Sequence, residues 1–184
     1  MDQLEKYREE LMACNEKILE RLLERNQIVE ELMAYKEKNK MPMLQPDQEE
    51  RQRVWLKRKL EGHRHKQEVE DVFQAILKSS KKIQARKLFS YNIVLIGFMG
   101  SGKSTISEYL HTLFDMEIIE MDQMIAKREG MSISDIFETR GEEYFRNLET
   151  SLLIEMQERT NVVISCGGGV PLREQNVVEM KKNG

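Results

Sequence analysis

The chain has 184 residues, 33% of them charged and 40% hydrophobic, with a net charge of −3 and only two cysteines. That length allows one ordinary domain or two small ones. No apolar run approaches the roughly 20 residues a membrane span needs, the charged N-terminus excludes a secretory core segment, and Cys14 and Cys166 form neither a disulfide framework nor a zinc spacing. The expectation is therefore a soluble cytoplasmic protein. Residues 1–90 carry 20 Lys and Arg against 17 Asp and Glu, and residues 91–184 carry 9 against 15. Neither half is basic enough to suggest a nucleic-acid partner. Of the 10 glycines only Gly62 precedes residue 91, and this split favours two domains.

Residues 3–38 contain neither Gly nor Pro, and Leu4, Tyr7, Leu11, Cys14, Ile18, Leu22, Val29 and Leu32 recur at helical spacings. A helix of that length is about 50 Å long. A 90-residue fold cannot cover it, so it points to a coiled coil or an intertwined oligomer. A break follows at 39–46, with Pro42 and Pro46 inside it. A second helix is expected from Asp47, as N-cap, to about Leu60. After a turn at 62–65, a third should run from Lys66 to Lys87. From Tyr91 the texture changes. Asn92–Ile96, Glu117–Glu120 and Val162–Ser165 read as strands, and Lys103–Phe114 as a helix. This is the pattern of a parallel α/β sheet.

The first helix carries polar residues where its apolar stripe should be. On a wheel of about 100° per residue, Arg25 and Lys36 fall within roughly 30° of the stripe's centre. A single such residue near a helix end snorkels into water, but two cations in mid-stripe call for an anionic partner. Arg8 lies at the stripe's edge. Ser80 and Gln84 align with Phe73 and Leu77 on the third helix, and Glu49 aligns with Leu56 and Leu60 on the second. Together these residues describe a polar pocket in a helical bundle, suited to a small dianion.

The segments Tyr7–Leu11, Leu22–Arg25, Tyr35-Lys36, Pro42, Glu49 and Ser80–Gln84 resemble the all-helical class of chorismate mutase. The resemblance implies a three-helix domain over 1–90 whose long helix intertwines with that of a second copy. It implies that Arg25 and the other copy's Arg8 hold the carboxylates of chorismate. Lys36 and Gln84 would donate to its ether oxygen, Glu49 would bind the ring hydroxyl, and Ser80 would complete the site. Gln45 and Gln48 stand where an acidic residue and an Arg are usual, changes expected to weaken substrate binding. A pericyclic rearrangement of one substrate needs no nucleophile, metal or cofactor. It needs a folded substrate geometry and stabilisation of charge on the ether oxygen.

Gly97-Phe98-Met99-Gly100-Ser101-Gly102-Lys103-Ser104 matches the phosphate-binding loop G-x-x-x-x-G-K-[ST] between a strand and a helix. Its amides, with Gly97, Gly100, Ser101, Gly102 and Thr105, would cradle the phosphates of ATP. Lys103 would reach the β- and γ-phosphates, and Ser104 would ligate Mg²⁺. Glu120 and Asp122 are either solvated loop carboxylates or part of a site. The same choice holds for Arg146 in Gly141–Glu149 and for the glycine run Gly167–Gly169 at a strand's end. In this order the pieces resemble shikimate kinase from Asn92 to about Val170. By that resemblance Asp122, Arg146, Gly167, Gly168 and Gly169 would bind shikimate, and Glu120, where Asp is usual, would sit near the Mg²⁺. The resemblance ends with the chain, so the expectation for 91–184 is a partial P-loop fold that binds phosphate at best and catalyses poorly or not at all. His63 and His65 read as a metal pair or a charged turn. The competing view of the whole is a helical dimerisation arm on a nucleotide-binding module. A pure zipper would prefer apolar residues at Arg25, Lys36 and Gln84.

Overall fold

The computed structural model describes residues 2–43 and 45–184. Leu44, inside the break expected at 39–46, lies outside them. The chain divides into two compact units, Met1–Gln84 and Ala85–Gly184.

The first unit is built from α1 (Gln3–Lys38), α2 (Pro46–Lys59) and the greater part of α3 (Lys66–Leu88). Asp2 caps α1 by accepting from the Leu4 amide at 3.5 Å, and Lys36 and Lys38 in the last turn complement the helix dipole. Asp47 is not the N-cap of α2. The helix begins one residue earlier, at Pro46, and Gln45 occupies the cap without a side-chain hydrogen bond. A proline at the first helical position forfeits an N–H that has no partner there in any case. Asp47 instead places its charge in the first turn.

Burial within α1 is confined to its C-terminal part, where Val29, Met33 and Lys36 are covered. Every residue from Gln3 to Arg21 is exposed. That stretch includes Leu4, Leu11, Ile18 and Leu19, each more than half exposed. Leu56 of α2 and Ser80 of α3 are buried. Trp55 and Phe73 meet edge to face, with ring centroids 6.2 Å apart.

The second unit has β1 (Ile93–Leu95), α4 (Lys103–Phe114), β2 (Glu117–Glu120), α5 (Met121–Glu129), α6 (Ile133–Arg140), α7 (Glu142–Met156), β3 (Val162–Ser165), a 3₁₀ turn at Val170–Leu172, and α8 (Glu174–Met180). The sheet is parallel in the order β1-β3-β2, with Ile164 of β3 opposite Val94 on one side and Ile119 on the other. β3 is buried at every position, as a central parallel strand with both faces covered must be.

β1 is shorter than the expected Asn92–Ile96. The buried Asn92 side chain donates to the carbonyls of Met156 and Arg159, each at 3.0 Å, and accepts from the Val162 amide. It acts as a brace ahead of the strand. The core lies between the sheet and α5, α6 and α7, around Met121, Ile125, Ile136, Phe145, Leu152 and Ile164. α6 opens on a capping box between Ser132 and Asp135. No helix among the described residues is long and apolar enough to cross a membrane.

Candidate functional sites

All three helices of the first unit line one cavity of about 380 Å³. Arg25 and Lys36 enter it from α1, Gln48, Glu49 and Gln52 from α2, and Ser80, Lys81 and Gln84 from α3, with Met43 and Gln45 at its edge. Arg25 donates to Ser80 Oγ, and Ser80 Oγ donates in turn to the Ile76 carbonyl at 3.1 Å. The Arg25 guanidinium is thus held by a buried hydroxyl that is itself anchored. Burial pulls the Arg25 pKa down from its ordinary value, but a guanidinium stays charged. Lys36, buried to 6% exposure, donates from Nζ to the Met43 carbonyl at 2.9 Å.

Glu49 does not sit in an interior stripe as its wheel position suggested. Its side chain is 47% exposed at the mouth of the cavity, with Oε2 3.1 Å from Lys81 Nζ. Lys81 was not singled out as a site residue in the sequence. The available signal was spacing, since it lies four residues after Leu77 and three before Gln84. Arg8 is absent from the cavity lining. It is exposed and paired with Glu5 at 3.3 Å, about 26 Å along α1 from Arg25 at 1.5 Å per residue.

In the second unit the loop after β1 turns on glycines with positive φ. Gly97 has φ +145°, and a Cβ there would fall 2.6 Å from Ser101 Oγ. Gly102, with φ +88°, caps α4 and offers no side-chain acceptor. The first amides of α4 therefore remain available to an anion. Lys103 Nζ lies across the loop, donating to the carbonyls of Gly97 at 2.7 Å and Phe98 at 3.1 Å. Ser104 and Thr105 are exposed in the first turn of α4.

The glycine run after β3 passes close to three of these elements. A Cβ on Gly167 would lie 2.7 Å from Asp122 Oδ1, and one on Gly169 would lie 2.3 Å from Arg146 Nη1. A Cβ on Gly168 would lie 3.6 Å from Phe98 Cα and 3.7 Å from the Gly97 carbonyl oxygen. The fold thus brings Asp122, Arg146 and the two glycine loops together.

Arg146 is held by two carboxylates. Its Nη1 lies 2.9 and 3.0 Å from the oxygens of Glu149, and its Nη2 is 3.0 Å from Glu142 Oε1. Glu149 is 1% exposed. Burial raises its carboxyl above the ordinary range, and the Arg146 hydrogen bonds pull it back. Desolvation by the surrounding protein also raises Asp122. Glu120 adds to this, and Arg146 and Lys103 oppose it. Burial pushes the Cys166 thiol up to about 12, with Glu149 and Asp122 adding to the shift, so it is inert at neutral pH.

Glu149 and Arg173 were not read as site residues. Arg173 donates to Asn147 at 2.8 Å and to Glu143 at 2.7 Å, tying the segment after the glycine run to α7. His63 Nδ1 accepts from the His65 amide at 3.2 Å, a contact within the turn. Among the described residues no group of three or more His, Cys, Asp or Glu is placed to hold a metal.

Residues 7–85 match the family model of chorismate mutase type II, and residues 99–184 match that of shikimate kinase. The two halves of the chain are thus similar to two different enzyme families. Over 93 residues it is 46% identical to the shikimate kinase of Caldanaerobacter subterraneus subsp. tengcongensis, covering 50% of this chain and 54% of that protein. Over 90 residues it is 50% identical to the bifunctional shikimate kinase/3-dehydroquinate synthase of Thermotoga maritima, covering 49% of this chain and 18% of that protein. The crystal structure of shikimate kinase from Aquifex aeolicus aligns at 46% identity and a TM-score of 0.48, over 50% of this chain and 59% of its own. The chain spans about half the length of the single-function shikimate kinases it matches.

Proposed function

We propose that residues 1–90 form a chorismate mutase that converts chorismate to prephenate. The observation that carries this reading is the convergence of Arg25, Lys36, Glu49, Ser80 and Gln84 on one cavity. Arg25, braced by Ser80, takes one substrate carboxylate. Arg8 of a second copy takes the other, which accounts for its distance from the cavity in its own chain. Lys36 and Gln84 donate to the ether oxygen as its bond to the ring lengthens, and Glu49 accepts from the ring hydroxyl. The protein forms no bond to the substrate. It selects the folded geometry and stabilises charge that develops only in the transition state. The exposed apolar stripe of α1 supports a homodimer through that helix.

Chorismate consumption by the purified chain tests this. Lys36→Ala and Arg25→Ala should each lose about 100-fold or more in kcat/KM, as when a transition-state donor is removed. A wild type no faster than these variants would sink the reading.

Residues 91–184 are proposed to bind ATP, Mg²⁺ and shikimate for transfer of the γ-phosphoryl group to a ring hydroxyl. The supporting geometry is the phosphate loop set against Asp122, Arg146 and the Gly167–Gly169 run. Ser104 and Glu120 offer hard oxygen donors of the kind Mg²⁺ takes. Bound there, the ion would neutralise phosphate charge. Arg146 would grip the shikimate carboxylate, and Asp122 would orient the hydroxyl that attacks. ATP-dependent formation of shikimate 3-phosphate, lost in Lys103→Ala, is the measurement, and no product from wild type would count against turnover. The polar cavity disfavours the view of the helices as a dimerisation arm alone.

A further inference from the structure

Counted on one copy alone, before the second copy's Arg8 is added, the cavity residues assigned so far carry a single net positive charge. A dianion moved out of water requires compensating positive charge. Arg25 and Lys36 supply two charges, but Glu49 at the mouth subtracts one. Lys81 restores the balance from the next position after Ser80, where its Nζ lies 3.1 Å from Glu49 Oε2. The pair joins α2 to α3 across the cavity mouth. Glu49 is the more open partner, at 47% side-chain exposure against 23% for Lys81. Without an anchor, a glutamate that open samples several rotamers, and its charge repels an approaching carboxylate.

We infer that Lys81 is a positioning residue of this site: it fixes the Glu49 carboxylate for the substrate hydroxyl and cancels its charge, so that Arg25 and Lys36, beside the second copy's Arg8, face a small dicarboxylate without an opposing charge at the mouth. Lys81 acts through Glu49 and does not itself grip the substrate. The inference rests on the mutase reading above. It identifies α3 as a source of charge in a site where Gln48 supplies none.

Steady-state kinetics on the full chain test it, with Lys81→Gln, Lys81→Arg, Glu49→Gln and the double variant. Lys81→Gln should raise KM for chorismate about tenfold with a smaller fall in kcat, within the range of a coupled pair. Lys81→Arg keeps the charge and should stay within about threefold of wild type. In the Glu49→Gln background, Lys81→Gln should add less than about twofold, because the group it serves has gone. An unchanged KM in Lys81→Gln overturns the inference, and so does an equal effect with and without Glu49. Far-UV circular dichroism melts accompany each variant. If Lys81→Gln melts early, Lys81→Met, which keeps the stem, decides by the same two criteria. A wild type that leaves chorismate unconverted removes the mutase reading and this inference with it. An active wild type with an unmoved KM removes the inference alone.

Discussion

Arg146 and Glu149 form an ion pair in which a buried carboxylate meets a candidate site residue. Burial raises the Glu149 carboxyl above its unfolded value. Its contribution to stability is therefore fully present below the ordinary glutamate range and is lost as pH rises through the raised value. Arg146 keeps that loss small. Arg146→Met should destabilise the second unit by about 3 kcal/mol at neutral pH, because it strands a buried carboxylate. The deficit should shrink toward about pH 4 as Glu149 takes up a proton. Urea denaturation at the two pH values measures both effects, and an equal deficit at each would contradict the assignment. Arg146 stood out in the sequence as a candidate from its motif. Glu149, three residues later on a helix, looks the same as an exposed i,i+3 pair until its 1% exposure is known.

Gly97 is a second residue whose role is steric. Gly97→Ala would force a φ of +145° on a residue with a side chain and press its Cβ against Ser101. The resulting strain, about 1–2 kcal/mol, distorts the phosphate cradle. ATP binding followed by calorimetry should weaken by about tenfold or more on that basis. Unchanged affinity would show that the loop tolerates the side chain.

At the scale of elements, α1 is the outlier. Its periodicity was readable from residue 3 to residue 38, and the helix spans those same residues. What the pattern did not reveal is where the stripe is covered. Only its last third is buried within the chain. Ile18 and Leu11 remain exposed at 52% and 62%. Ile18→Glu combined with Leu11→Glu should therefore leave the first unit's own packing intact while converting a dimer to monomer in light scattering. It should also lower mutase activity, since each site would lose the other copy's Arg8. A wild-type monomer would contradict the dimer proposal. The helices α5, α6 and α7 were not delimited from sequence because only one to three residues separate each from the next. Gly130 and Gly141, both at positive φ between them, were the available signals.

At the scale of the whole molecule, two compact units with different chemistry share one chain. The helical unit lines its cavity with side chains and holds a single glycine, Gly62, while the sheet unit sets glycines in the loops after β1 and β3. If residues 1–90 and 91–184 act as separate domains, saturating ATP should raise the melting transition of one unit alone. At a hundredfold excess over Kd the expected gain is about 2.7 kcal/mol, readable by calorimetry. A uniform shift of all transitions would argue for one cooperative body.

The sequence by itself determined the helical and strand periods, the phosphate loop, and the identity of the polar residues set into the apolar stripes. All of these depend on neighbours a few positions apart. Only the tertiary structure decided that Arg25 meets Ser80, that Lys81 meets Glu49, that Glu149 is enclosed with Arg146, and that most of α1 is left bare. Those outcomes depend on burial and pairing between residues distant in the chain, and the desolvation that sets their energies exists only once the elements have packed.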